Sequence, residues 1–322
     1  METAIQVKNL SVDYILNKEE SVRALRDIDM EIKRGETVAI VGESGCGKST
    51  LASALMRLLP ENTAVKGEVK ILGENIMEKS PAELRKIRGV SAGIIFQEPA
   101  ASLNPVFTVK QQIEETIKAH YKGINKKELA AEGIKLLKET GIGEPERVYN
   151  AYPHRLSGGQ QQRVMLSIAL SCDPDILIAD EPTTALDVTV QARIIERLKK
   201  LKQERGLTLA LITHDLHLAH ELAERVIVMY AGEIAEDGII KSAKDAAHPY
   251  TEALFEIIPD IKGKKRDFKV IPGAVPDLRE IRDECAFAGR CRYEKEQCRK
   301  ARPAIREGRG RRVRCYYPGK KL

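Results

Sequence analysis

The sequence lacks any long hydrophobic run. Its most apolar stretches, Leu207 to Thr213 and Ile176 to Ala179, are strand-length and end at polar residues, well short of the ~18 consecutive apolar residues of a membrane-spanning helix. The chain is therefore not expected to cross a bilayer by itself. Its first ten residues, METAIQVKNL, show no basic patch followed by an apolar stretch, so no secretory signal is expected and the reading is cytoplasmic. Internal repeats are absent, and the single biased tract is the arginine-rich RGRRVR near the end. With 43% hydrophobic and 31% charged residues, the composition excludes collagen-like, disordered and small disulfide-stapled classes. The 322 residues suffice for one large domain with an appendage or for two domains.

The net charge of +6 is unevenly spread. Residues 262–322 hold 20 Lys and Arg against 8 Asp and Glu, a net of +12, which leaves −6 for residues 1–261. Cysteine divides at the same place. Cys46 and Cys172 lie far apart, whereas Cys285, Cys291, Cys298 and Cys315 crowd into the tail. In a reducing compartment, four clustered cysteines point to metal more than to disulfides.

Residues 1–261 alternate strand-like and helix-period segments, the pattern of a parallel sheet covered by helices. Ile5 to Tyr14 and Ile28 to Ile32 alternate apolar with polar residues and suit half-exposed antiparallel strands. Thr37 to Val41, Ile94 to Phe96, Ile176 to Ala179 and Thr208 to Thr213 suit buried central strands. The charged, helical stretch from Val109 to Tyr149 is too long for a loop and predicts a helical subdomain at about 100–172.

The strongest local signal is Gly42-Glu-Ser44-Gly45-Cys46-Gly47-Lys48-Ser49, followed by Thr50. It fits G-x-x-x-x-G-K-[ST] between a strand and a helix. The glycines let the backbone wrap a phosphate, Lys48 neutralises the outer phosphates, and the Ser49 hydroxyl suits Mg²⁺. Cys46 reads as a small spacer in this loop. A second signal is Asp175-Ile-Leu-Ile-Ala-Asp180-Glu181, in which Asp180 at the end of a buried strand reaches Mg²⁺ and Glu181 polarises an attacking water. Beyond it the strand LTLALIT delivers His214, and Gln97 follows GIIF. Either residue alone carries little information.

Leu156-Ser157-Gly158-Gly159-Gln160 completes an ordered set that resembles the ATP-binding-cassette (ABC) ATPases: phosphate loop, Gln97, signature, Asp180 with Glu181, Ala185-Leu186-Asp187, and His214. The resemblance covers residues 1–261. It implies an α/β P-loop fold with a RecA-like core, an antiparallel β subdomain and a helical subdomain. It further implies ATP and Mg²⁺ as ligands, with Mg²⁺ held through Ser49, Gln97 and Asp180. Tyr14 would stack on adenine, Glu181 would be the general base, and His214 would link the water to the γ-phosphate. Ser157, Gly158, Gly159 and Gln160 of one subunit would close on the nucleotide held by another subunit's Lys48, with Asp187 in the dimer contact.

FQEPAASLNPVFTV after Gln97, YPHRLSGGQQQRV, AAHPYTEALFEIIP and IPGAVPDL look like the dipeptide/oligopeptide permease ATPases, a branch that also includes nickel permeases. That likeness implies a peripheral subunit on the cytoplasmic face of the membrane, powering peptide uptake. Its partners would be two transmembrane permease subunits, a second homologous ATPase and, indirectly, an extracellular solute-binding protein, with a homodimer possible in isolation. The alternatives are import of nickel or another small solute, and a soluble ABC ATPase acting on nucleic acid or ribosomes, for which the basic tail is the one argument. Such proteins usually carry paired cassettes or coiled coils, which this sequence lacks, so no nucleic-acid partner is expected.

Residues 262–322 read as a separate cysteine-rich basic extension. The spacing C-x5-C-x6-C-x16-C brings four thiols together but lacks the tight knuckles usual in zinc sites. A [4Fe–4S] cluster on Cys285, Cys291, Cys298 and Cys315 is the favoured reading because its larger body tolerates wider spacing. Zinc, or a metal-free cysteine group, stays open. Arg290, Arg292, Arg299, Arg312 and Arg314 would offset the charge of bound thiolates. The extension is expected to act as a structural clip that leaves nucleotide binding at Lys48 untouched.

Overall fold

A computed structural model describes residues 2–18, 20–183, 188–257, 270–281, 283–319 and 322. The expected Ala185-Leu186-Asp187 contact and the expected boundary at 261 lie outside these residues. Strands β1 (Thr3–Ile15), β2 (Ser21–Lys33) and β3 (Thr37–Val41) come first, and β3 leads to helix α1 (Lys48–Leu55). Strands β4 (Thr63–Ile71) and β5 (Glu74–Asn75) precede α2 (Pro81–Ile87) and β6 (Ala92–Ile95). The helical stretch comprises α3 (Pro99–Ser102), α4 (Val109–His120), α5 (Lys126–Glu139), α6 (Pro145–Tyr149) and α7 (Gly158–Ala169). Then come β7 (Ile176–Asp180), α8 (Val188–Arg205), β8 (Thr208–Thr213), α9 (Leu216–Leu222), β9 (Arg225–Tyr230), β10 (Glu233–Gly238) and α10 (Pro249–Glu256), and near the C-terminus β11 (Arg306–Gly308) and β12 (Arg311–Val313). Packing divides the chain into two compact units, one of Met1–Ile5, Ile32–Glu36 and Lys70–Leu211, the other of Gln6–Glu31, Thr37–Val69 and Ile212–Leu322.

In the first unit, β6 and β7 pair in parallel, with Ala92 opposite Ile176 and Ile95 opposite Ala179. The strand expected at Ile94 to Phe96 thus begins two residues earlier and leaves Phe96 exposed. Its Gly93 has no room for a side chain, because a Cβ would stand 2.3 Å from the Ala169 carbonyl oxygen. The helices have sharp starts. Thr108 with Gln111, Asn125 with Glu128, and Ser157 with Gln160 each form a reciprocal capping box, which satisfies backbone donors a helix otherwise leaves orphaned. Their apolar faces enclose a core of Ile113, Ile117, Leu129, Leu137, Val148 and Val164.

In the second unit, β3 runs parallel to β9, and β9–β10, β10–β12 and β12–β11 are antiparallel. Every residue of β3 is buried, as a continuous apolar run covered on both faces requires. Strand β10 is EIAEDG and is also buried throughout, although three of its six residues are acids. The basic tail makes this possible. Arg302 and Arg314, with Arg26, surround Glu233 at 2.8, 3.6 and 3.3 Å. Arg311 lies 3.4 Å from Glu236, whose carboxylate also accepts from the N–H groups of Ala247 and His248. Asp237 pairs with Arg225. Buried carboxylates persist only when paired or hydrogen-bonded, so Arg302, Arg311 and Arg314 of the tail are held inside the fold as counter-charges to β10.

Candidate nucleotide site

The phosphate loop belongs to the second unit and its geometry follows from its glycines. A Cβ on Gly42 would stand 2.2 Å from the Met229 carbonyl oxygen, and one on Gly47 would stand 2.6 Å from that of Ala24. Gly45 and Gly47 also take positive φ angles of 79° and 99°, which favour glycine. The buried Lys48 donates through Nζ to the carbonyl oxygens of Gly42 at 2.8 Å and Glu43 at 2.9 Å, so its charge is held across the loop. Ser49 is exposed at the first turn of α1. Tyr14 and Thr50 share a hydroxyl–hydroxyl hydrogen bond of 3.3 Å, which brings the expected adenine-stacking residue to the loop's helix. Cys46 is fully buried, and burial pushes its thiol up, consistent with a packing role.

The carboxylate group belongs to the first unit. Asp180 is buried at the end of β7. Glu181 follows with φ of 48°, a left-handed backbone that is uncommon outside glycine and recurrent at functional sites. Gln97 Nε2 donates to Glu181 Oε2 at 3.1 Å, joining two residues 84 positions apart. In the signature, Ser157 caps α7: its Oγ accepts from the Gln160 N–H at 3.3 Å. Ser157 and Gly158 are exposed, and Gly158 has open space where a Cβ would stand. That is the form of an accessible helix N-terminus. His214 is exposed between β8 and α9, in the second unit.

A model of the family described as "ABC transporter" matches residues 25–184. The chain is 42% identical over 320 residues, 98% of its length and 97% of the relative's, to "Oligopeptide transport ATP-binding protein AppD" of Bacillus subtilis (strain 168). The chain belongs to the ABC transporter family. The cassette is also 42% identical over 317 residues (98% of this chain, 96% of the relative) to "Dipeptide transport ATP-binding protein DppD" of Escherichia coli (strain K12). It is 45% identical over 307 residues (94% and 91%) to "Probable peptide ABC transporter ATP-binding protein y4tR" of Sinorhizobium fredii (strain NBRC 101917 / NGR234). A second model, "Oligopeptide/dipeptide transporter, C-terminal region", matches residues 236–298. Among solved structures, the ATP-binding cassette MJ0796 as a post-hydrolysis dimer bound to ADP and Pi superposes with a TM-score of 0.66 at 34% identity, covering 73% of this chain and 98% of that one. The α/β P-loop ABC ATPase fold is thereby shown. No helix among the described residues is long and apolar enough to cross a membrane.

All six cysteines of the cassette are free of disulfides, the four in its tail included. Cys285, Cys291, Cys298 and Cys315 line one small cavity of about 10 Å³ beside Phe287 and His248, and the Cys285 N–H donates to the Cys298 carbonyl oxygen at 2.9 Å. Burial pushes the Cys285 thiol up to about 12. Among the described residues no three or more His, Cys, Asp or Glu are grouped to hold a single metal ion. The extension touches the phosphate loop, a contact that the sequence does not reveal. Arg290, just before Cys291, pairs with Glu43 inside the loop at 2.7 and 3.0 Å. Neither partner is visible as a site residue in the sequence, because 247 positions separate them. The only available hints are a carboxylate inside a phosphate loop and an arginine beside a clustered cysteine.

Proposed function

We propose that this cassette is the ATP-binding and ATP-hydrolysing subunit of an importer of dipeptides or oligopeptides, attached peripherally to the cytoplasmic face of the membrane. The observation that carries this reading is likeness at 42% identity or better along nearly the whole chain to relatives named as peptide-transport ATP-binding proteins, with each nucleotide motif occupied by the competent residue type. In this reading Tyr14 and Gly42 to Thr50 hold ATP, and Ser49, Gln97 and Asp180 hold Mg²⁺. Glu181 takes the proton from the attacking water, with His214 bridging to the γ-phosphate. Ser157 to Gln160 complete the site of a second ATPase subunit, and Asp187 lies in that contact. Two membrane permease subunits couple the cycle to transport. The test separates the two roles. Lys48→Ala loses most ATP affinity, whereas Ser157→Arg keeps binding to the isolated chain and loses turnover; equal loss of binding in both defeats a shared site. ATP-driven uptake of labelled peptide, but not of nickel, by vesicles reconstituted with the co-purifying permease and binding protein fixes the solute.

For the extension, residues 262–322, we propose a [4Fe–4S] cluster held by Cys285, Cys291, Cys298 and Cys315 as a structural clip. What supports a cluster is the chemistry of the donors: four disulfide-free thiols line one cavity, and their C-x5-C-x6-C-x16-C spacing lacks the tight knuckles usual in zinc sites. Bound, the cluster supplies covalent cross-links to a segment poor in apolar residues. Anaerobic purification then yields a brown protein with about four irons per chain, and one zinc per chain or no metal defeats the proposal.

A further inference from the structure

Glu43 is the one acidic residue of the phosphate loop, and each of its polar groups is committed within the second unit. Its N–H donates to the Tyr250 hydroxyl at 3.0 Å, its carbonyl oxygen accepts from Lys48 Nζ at 2.9 Å, and its carboxylate accepts both Arg290 terminal nitrogens at 2.7 and 3.0 Å. A two-point guanidinium–carboxylate pair fixes orientation as well as charge. Arg290 is itself held: Nε donates to the Pro272 carbonyl oxygen at 2.9 Å and a terminal nitrogen to the Tyr230 hydroxyl at 3.2 Å. Only 8% of its side chain is exposed. It ends the tight turn from Cys285 to Cys291, in which the N–H groups of Ala288, Arg290 and Cys291 bond to the carbonyls of Cys285, Phe287 and Ala288. Phe287, on the same turn, packs edge-on against Tyr230 at 5.2 Å and beside Tyr250 at 5.3 Å. One turn of the cysteine-rich segment therefore grips Glu43 from its side chain and, through Tyr250, from its backbone.

An unpaired carboxylate in a phosphate loop repels the polyanion that the loop binds. We propose that Arg290 is a positioning residue of the nucleotide site: its pair with Glu43 neutralises that carboxylate and pins the loop, so ATP affinity depends on the folded Cys285–Cys291 turn. The inference rests on the ATP-binding reading above and adds a residue from the extension to it.

The test measures Mg·ATP binding and the KM and kcat of hydrolysis for full-length Arg290→Gln, Glu43→Gln and the double variant, with thermal unfolding as a check on folding. Arg290→Gln uncovers the carboxylate and weakens ATP binding about tenfold, raising KM with kcat within twofold. Glu43→Gln loses the pin without adding a charge and weakens it about threefold. The double variant binds as Glu43→Gln does, so the second substitution recovers affinity that the first removed. A merely unfolded turn is not repaired by a change in the loop. The inference is overturned if Arg290→Gln binds within twofold of wild type, or if the double variant binds no better than Arg290→Gln. Wild type that binds no ATP defeats the functional reading and this inference with it, whereas wild-type binding with unchanged variants defeats this inference alone.

Discussion

The two compact units are built on different physics. The first, with Gln97, Asp180, Glu181 and the signature, holds its helical part with an apolar core entered by three capped helices. In the second, with the phosphate loop, an aromatic cluster is combined with arginine–carboxylate pairs that tie residues 290–314 to β10, α10 and the loop itself. The lesson is that local hydrophobic period explains the first unit, whereas the second depends on charges that meet across long stretches of chain. The division has a functional side, because Glu181, proposed to activate water, and Lys48, proposed to bind phosphate, fall in different units.

The largest expected effect tests that functional side. Glu181→Gln lowers turnover by a factor of roughly 10²–10⁴, the usual weight of a general base, while ATP binding is retained. Measured together by steady-state hydrolysis and equilibrium binding, a loss of binding as large as the loss of turnover would collapse the distinction between the units. Next is Glu236→Ala in the second unit. Its buried carboxylate serves two N–H groups and Arg311, so removal strands a buried cation and costs about 3–5 kcal/mol in chemical denaturation. Leu137→Ala in the first unit opens a cavity in the helical core and costs about 2–5 kcal/mol. Its penalty is expected not to change with salt, and a strong salt dependence there would contradict an apolar origin.

The smallest effect concerns Asp27. The Arg302 side chain, hydrogen-bonded to it, holds this carboxyl below its ordinary value. The unfolded chain then binds the proton more readily, so the pair's stabilisation is fully present above about pH 4 and is lost as pH falls through the depressed folded value. The Asp27 side chain is 55% exposed, and solvent screening limits the contribution to about 1 kcal/mol or less. Asp27→Asn keeps a residue that tolerates the observed φ of 45° and flattens the stability profile below pH 4. An unchanged acid limb would remove this pair from the ledger of the second unit.

Much of the fold was legible residue by residue. The runs TVAIV and TLALIT became β3 and β8 with every residue buried, and the charged segment after Val109 became the capped helices α4 and α5. Strand β10 was not legible, since EIAEDG has the composition of a polar turn. Its burial is tolerated only because Arg302, Arg311 and Arg314 arrive from more than 60 positions away. Periodicity carries no information about such partners.

The sequence by itself determined the nucleotide chemistry, because a phosphate cradle needs glycines and a lysine at fixed local spacing between a strand and a helix. It also determined the capped helices and the competent residue at each motif. Only the tertiary structure decided that Gln97 meets Glu181, that the four tail thiols share one cavity, and that Arg290 grips Glu43. Those contacts join residues from separate elements. Which charges meet depends on how packed layers bring distant turns together, not on any local preference of the chain.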